Sequence, residues 1–196
     1  MADTLTPISP LGSWSHRFAV LPATVTVAEE PFTAMVNLWV DRAGPGTDAA
    51  RRVLGFDLPT APGTSAGDDR TTAIWLSPEE WLVTSRSTSP STLETDLRAA
   101  VDAHGGAATD VSGQRTTVRL TGSRARDVLT KGCSIDLHPR VFHAGSAVQT
   151  MLGRAGVVLI AVNDDGNDYR ILVRASFARY LAEWLVDAAE EFGPGR

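Results

Sequence analysis

The chain has 196 residues, 43% hydrophobic and 21% charged, enough to bury a real core as one large domain or two small ones. A formal net charge of −5 argues against a general nucleic-acid binder, because neutralising phosphates needs a basic face. The lone cysteine, Cys133, excludes an internal disulfide framework and any cysteine-based metal cluster.

Met1–Pro10 is polar and shows no signal-peptide pattern. The longest apolar run, Ala155–Val162, is far short of the ~20 residues that a membrane helix needs. A cytoplasmic protein without membrane attachment is the expectation. Residues 1–31 read as an N-terminal arm, since Pro7, Pro10, Pro22 and Pro31 rule out a long helix. Its Trp14 and Phe18 are costly to leave bare, so the arm must lie against this domain or against another chain.

Met35–Val40 alternates like a strand, and Gly44–Gly46 reads as a turn before a short helix over 48–54, capped by Thr47 or Asp48 and ended by Gly55. Residues 59–70 are a loop by composition. Strands over 72–76 and 81–84 flank a turn at Ser77–Glu80. A helix over 91–104 follows, capped by Ser89 or Ser91, with Ser91 and Glu94 fitting a capping box.

Thr109–Pro139 predicts a strand, a turn and a helix. Val118 and Leu120 alternate with polar residues, Gly122-Ser123 breaks the strand with Ser123 as N-cap, and Gly132 ends the helix as a C′ glycine. Three strands follow, at 147–152, 156–162 and 168–174, the second apolar throughout and so covered on both faces. Asp165-Gly166 marks a hairpin turn. Ser176 caps a final helix that Gly193-Pro194 stops.

The element order repeats. Arg51–Pro59 (RRVLGFDLP) answers Arg126–Pro139 (RDVLTKGCSIDLHP), and Trp81-Leu82-Val83 answers Ile171-Leu172-Val173. The expected fold is α+β: internally duplicated strand–helix–strands–helix units, about 32–106 and 107–193, fused into one mixed-sheet domain over 32–193.

No catalytic motif stands out. There is no G-x-S-x-G elbow, and Cys133 reads as a small, half-buried thiol. The four histidines, His16, His104, His138 and His143, lack the further ligands of a metal site. Asn163–Asp168 lacks the bidentate glutamate of a calcium loop, and Gly44-Pro45-Gly46 does not continue into a phosphate cradle. Asp110, Ser112 and Arg115 are the candidates for a polar cleft, although Asp110 and Ser112 equally fit a turn whose side chains bond its own backbone. The basic cluster Arg115, Arg119, Arg124, Arg126 and Lys131 reads as a solvated or partner-facing surface.

Several stretches together resemble the gamma-subunit family of heterotetrameric sarcosine oxidase: Ser9–Leu11, Ile74–Val83, Asp110–Gly122, Ala125–Gly145, Ala147–Gly153 and Ser176–Leu185. The resemblance implies alpha, beta and delta partner subunits and oxidative demethylation of sarcosine to glycine. It places FAD, FMN and NAD on alpha and beta and zinc on delta, and leaves the gamma chain without cofactor, metal or catalytic residue. More distantly, the second half is similar to the folate-binding domain of the glycine-cleavage T-protein, an aminomethyltransferase. Leu159-Ile160 stands where that family carries acidic residues, so an apolar pair replaces the groups that orient a folate nitrogen. A folate-binding module, holding its ligand near Asp110, Ser112 and Arg115, and a one-carbon transferase are the alternative readings, and Leu159-Ile160 speaks against the second. Trp14 and Phe18 on the arm, with His138, Arg140 and Phe142 in the later loop, are the expected partner-facing residues.

Overall fold

The computed structural model describes residues 6–193. The expected helix stop at Pro194 and the first half of the polar Met1–Pro10 start lie outside the described residues. A 3-10 turn at Gly12–Trp14 leads into α1 (Ser15–Phe18). The first series then runs β1 (Thr26–Glu30), β2 (Ala34–Trp39), α2 (Pro45–Leu54), β3 (Ser65–Gly67), β4 (Thr71–Ser77), β5 (Glu80–Ser85) and α3 (Pro90–Val101). The second runs β6 (Ala107–Asp110), β7 (Arg115–Thr121), α4 (Ala125–Thr130), β8 (Ala147–Leu152), β9 (Ala155–Ala161), β10 (Asp168–Arg174) and α5 (Ala178–Ala189).

The strands form two five-stranded sheets, ordered β1-β7-β10-β9-β8 and β6-β2-β5-β4-β3. The α+β class and the duplicated units stand; the sheets are two, and each is antiparallel rather than mixed. Every strand pairing within them is antiparallel, because hairpins and helical returns bring each strand back against its neighbour. The two orders are the same order with one exchange. Each series sends its leading strand into the other's sheet: β1 pairs with β7 (Val27 opposite Leu120) and β6 pairs with β2 (Ala108 opposite Leu38).

Side-chain alternation builds the layers. On β9, Val157, Leu159 and Ala161 join the core beneath α4 and α5, while Val158 and Ile160 face the opposite way. There they meet Met35, Ile74 and Leu82 of the other sheet. On that sheet's outer face Val36, Leu38, Trp81 and Val83 pack under Leu93, Leu97 and Val101 of α3. The result is helices, sheet, sheet, helices, with apolar residues in all three interlayers.

Local departures from the sequence reading have identifiable causes. Gly44–Gly46 is not a free turn: Gly44 is the extended N-cap and Pro45 the first helical residue, where its missing N–H costs nothing. A Cβ on Gly46 would stand 2.2 Å from Val40 Cγ2, so packing demands that glycine. Ser89, not Ser91, caps α3 by accepting a hydrogen bond from the Thr92 N–H. Ser123 caps nothing; the Arg124 N–H instead donates to the Thr24 carbonyl at 3.1 Å, a bond that the incoming β1 makes possible. Ser176 lies within a 3-10 turn, Ala175–Phe177, that precedes α5.

Candidate functional site

The sequence-derived cleft divides in the structure. Ser112 Oγ accepts a hydrogen bond from the Met35 N–H at 2.8 Å and donates to Asp110 Oδ1 at 2.6 Å. Asp110 Oδ1 also accepts from the Ser112 N–H at 2.9 Å. These two residues fasten the β6–β7 turn to β2, which is the backbone-bonding alternative. Arg115 bonds neither of them. It lies opposite Arg174 on β10 and opens on a separate cavity of about 500 Å³.

A different constellation occupies the seam between the halves. Arg170 Nε donates to Glu30 Oε2 at 2.7 Å, and Arg170 also bonds Asp69. Arg119 grips Asp168 through two hydrogen bonds, at 3.0 and 2.7 Å. Arg86 reaches Glu30 at 2.9 Å and also pairs with Asp69. Glu30 comes from β1, Arg119 from β7, Asp168 and Arg170 from β10, and Asp69 and Arg86 from the first series. Three cations and three carboxylates thus tie both sheets together.

The charges respond to one another. Burial alone pushes the Asp69 carboxyl up, but the hydrogen bond and charge of Arg170, with Arg86 beside it, hold it below the usual carboxylate range. The Asp168 hydrogen bond outweighs burial and raises Arg119 above its ordinary value. Burial pulls Arg170 down, yet Glu30 and Asp69 together raise it. The pocket that Glu30 shares with Arg86 and Arg170 holds only about 10 Å³, roughly what one water requires, while a second one of about 260 Å³ opens beside Asp69 and Arg170, lined also by Gly67, Gly145 and Ile160. This seam is an electrostatic clasp whose charged groups are occupied with one another.

None of the clasp was identified from sequence, although a signal existed. Arg119 and Arg170 are directly opposed in the β7–β10 register, and Arg170 shares its strand face with buried Leu172. Opposed cations on a partly buried face require carboxylates nearby. The basic cluster of the sequence is likewise dispersed. Arg119 joins the clasp, Arg124 pairs with Asp127, and Lys131 donates to the Ala188 carbonyl while pairing with Glu191. That lysine closes the C-terminal end of α5, where a cation suits the helix dipole.

Trp14 and Phe18 are buried in the chain's own core, with ring centroids 6.2 Å apart. Phe142 is also buried, stacked on Tyr169. These three rings pack within this chain. His138 and Arg140 stay exposed on the same loop. Cys133 is buried and unpaired, and among the described residues no group of three or more His, Cys, Asp or Glu side chains is placed to hold a metal ion. Among those residues, no helix is long and apolar enough to cross a membrane. Leu159 and Ile160 are buried on opposite faces of β9.

Comparison with known proteins places this architecture. The family model described as "Sarcosine oxidase, gamma subunit family" matches residues 40–191. The sarcosine oxidase subunit gamma of Corynebacterium sp. (strain U-96) is 37% identical over 169 residues, covering 86% of this chain and 80% of that protein. Its counterpart from Corynebacterium sp. (strain P-1) is 34% identical over 170 residues, covering 86% and 82%. Among solved structures, a chain of the heterotetrameric sarcosine oxidase from Corynebacterium sp. U-96, in complex with pyrrole 2-carboxylate, matches with a TM-score of 0.88 at 33% identity, covering 97% of this chain and 98% of that one. The glycine cleavage system aminomethyltransferase T from Bartonella henselae matches with a TM-score of 0.63 at 14% identity, over 90% of this chain and 49% of that chain, which shows a shared fold. By family model, sequence identity and structure alike, the chain belongs to the sarcosine oxidase gamma-subunit family.

Proposed function

We propose that the chain is a structural, non-catalytic gamma subunit of a cytoplasmic sarcosine oxidase complex, with alpha, beta and delta chains as its partners. The assembly oxidatively demethylates sarcosine to glycine, releasing formaldehyde or methylenetetrahydrofolate together with hydrogen peroxide. FAD, FMN and NAD belong on alpha and beta, and zinc on delta. The observation that carries this reading is the end-to-end match to a chain of a heterotetrameric sarcosine oxidase, at 97% and 98% coverage. Two features of the residues support it. The charged side chains of the seam are spent on one another, and Asp110 and Ser112 are spent on a turn. The folate-binding alternative draws only on the fold shared with the aminomethyltransferase.

The test is coexpression with the three partner subunits, followed by native mass measurement and an oxidase assay. A complex containing all four chains, with no sarcosine oxidation by the isolated gamma chain, is expected. Oxidase activity in the isolated, flavin-free chain would sink the proposal. So would failure to copurify with any partner.

A further inference from the structure

Sheet β1-β7-β10-β9-β8 is not covered over its whole inner face. Leu172 and Val158 lie between the sheets, and both belong to the apolar interlayer. Two residues further along each strand, the same face presents Arg174 and Gly156. Beside them Arg115 faces Arg174 and Met151 faces Gly156 across the ladder. The second sheet has ended here. What remains is an open shelf of about 500 Å³ on which Met151 is 50% exposed.

The shelf concentrates unpaired positive charge on an acidic protein. Among the described residues, neither Arg115 nor Arg174 forms a salt bridge, whereas Arg86, Arg119 and Arg170 are each bonded to carboxylates. Arg115 has only the Gln114 side chain, at 3.4 Å. Burial, and after it the charge of the opposed Arg174, pull the Arg115 guanidinium below the ordinary arginine value. Such a pair is costly in the isolated chain and becomes favourable once a carboxylate bridges it.

Its surroundings favour a polypeptide over a compact anion. β8 is an edge strand of its sheet, held at Ala147 by the Gly63 carbonyl and open beyond it along Gln149 and Met151, where an extended segment can lie. Gln149 and Met151 project from that strand onto the shelf. Arginine and methionine beside an unpaired strand edge are the composition of a protein interface. We propose that the Arg115–Arg174 shelf docks an acidic segment of a partner subunit, whose Asp or Glu carboxylate bridges the two guanidinium groups. This rests on the subunit reading above and locates one contact within it.

Coexpression with the partner subunits tests both. R115K/R174K keeps the charge and introduces amines that carbodiimide joins to carboxylates in contact. Peptides linking position 115 or 174 to an Asp or Glu of a different subunit are the expected product. R115Q/R174Q relieves the repulsion, so the isolated variant keeps or gains thermal stability, yet its affinity for the partners falls about tenfold at 0.15 M salt. A wild-type chain that joins no partner overturns both readings. Wild-type assembly with unchanged R115Q/R174Q affinity and no intersubunit crosslink overturns the shelf alone. Two other occupants would also overturn it. A second copy of this chain gives crosslinks in the isolated protein. A free anion shows as phosphate protection of both arginines from phenylglyoxal in the isolated chain, with no crosslink to a subunit.

Discussion

Glu30 on β1 and Arg170 on β10 pair at 2.7 Å across the intervening β7, with side chains only 12% and 10% exposed. Breaking such a pair from one side strands a buried charge, at a cost of about 3–5 kcal/mol, whereas removing both partners leaves none behind. Glu30→Leu and Arg170→Met should therefore each lower unfolding stability by roughly 3 kcal/mol, with the double variant less damaged than either single one. Urea unfolding of the four proteins gives the coupling directly. Strictly additive losses would show that the pair is not coupled.

Acid should loosen the same clasp. The Asp69 carboxyl titrates below its unfolded value of 3.8, so its contribution is fully present above that pH. It is lost as pH falls through the lower folded value. Stability measured by circular dichroism should decline below about pH 4, and Asp69→Asn should flatten that limb while lowering stability at neutral pH. An unchanged acid limb in the variant would place the titration elsewhere.

Phe32 is the one non-glycine residue with positive φ among those described, at 56° in the β1–β2 turn, and it is 59% exposed. A bulky side chain is strained there, and little packing is lost by removing it. Phe32→Gly should stabilise the chain by about 1 kcal/mol, read as a higher denaturation midpoint with an unchanged slope. A lower midpoint would mean that the ring makes contacts that outweigh the strain.

Reciprocal exchange of β1 and β6 makes the two halves mutually dependent. Fragments 6–106 and 107–193 should each remain unfolded alone and recover native circular dichroism when mixed. Cooperative melting of either fragment by itself would show that a half is self-sufficient.

Much of this architecture was readable where local pattern reports it. The apolar run at 156–162 announced burial on both faces, and β9 has it, since Val158 and Leu159 face different cores. Trp14 and Phe18 announced that the arm must be covered, and they pack on this chain. The exchange of strands was not legible. β1 is five residues between prolines, with two glutamates, and its partner begins only at Arg115. Nor was the clasp, because residues 30, 69, 86, 119, 168 and 170 have no common spacing and meet only once both sheets are in place. Arg115 was singled out from sequence for a cleft with Asp110 and Ser112. Strand alternation sends it to the opposed Arg174 instead.

The exchanged strands also order events during synthesis. β1 leaves the ribosome early, but the ladder it completes does not exist until Arg115–Thr121 has followed it. The sheet carrying β2 likewise waits for Ala107–Asp110. Until then the first half displays an orphan strand and an unfinished edge, the surfaces most prone to pairing with another chain. Completion of both sheets is thus possible only once the second half has arrived, and the first half exposes its unfinished edge until that moment.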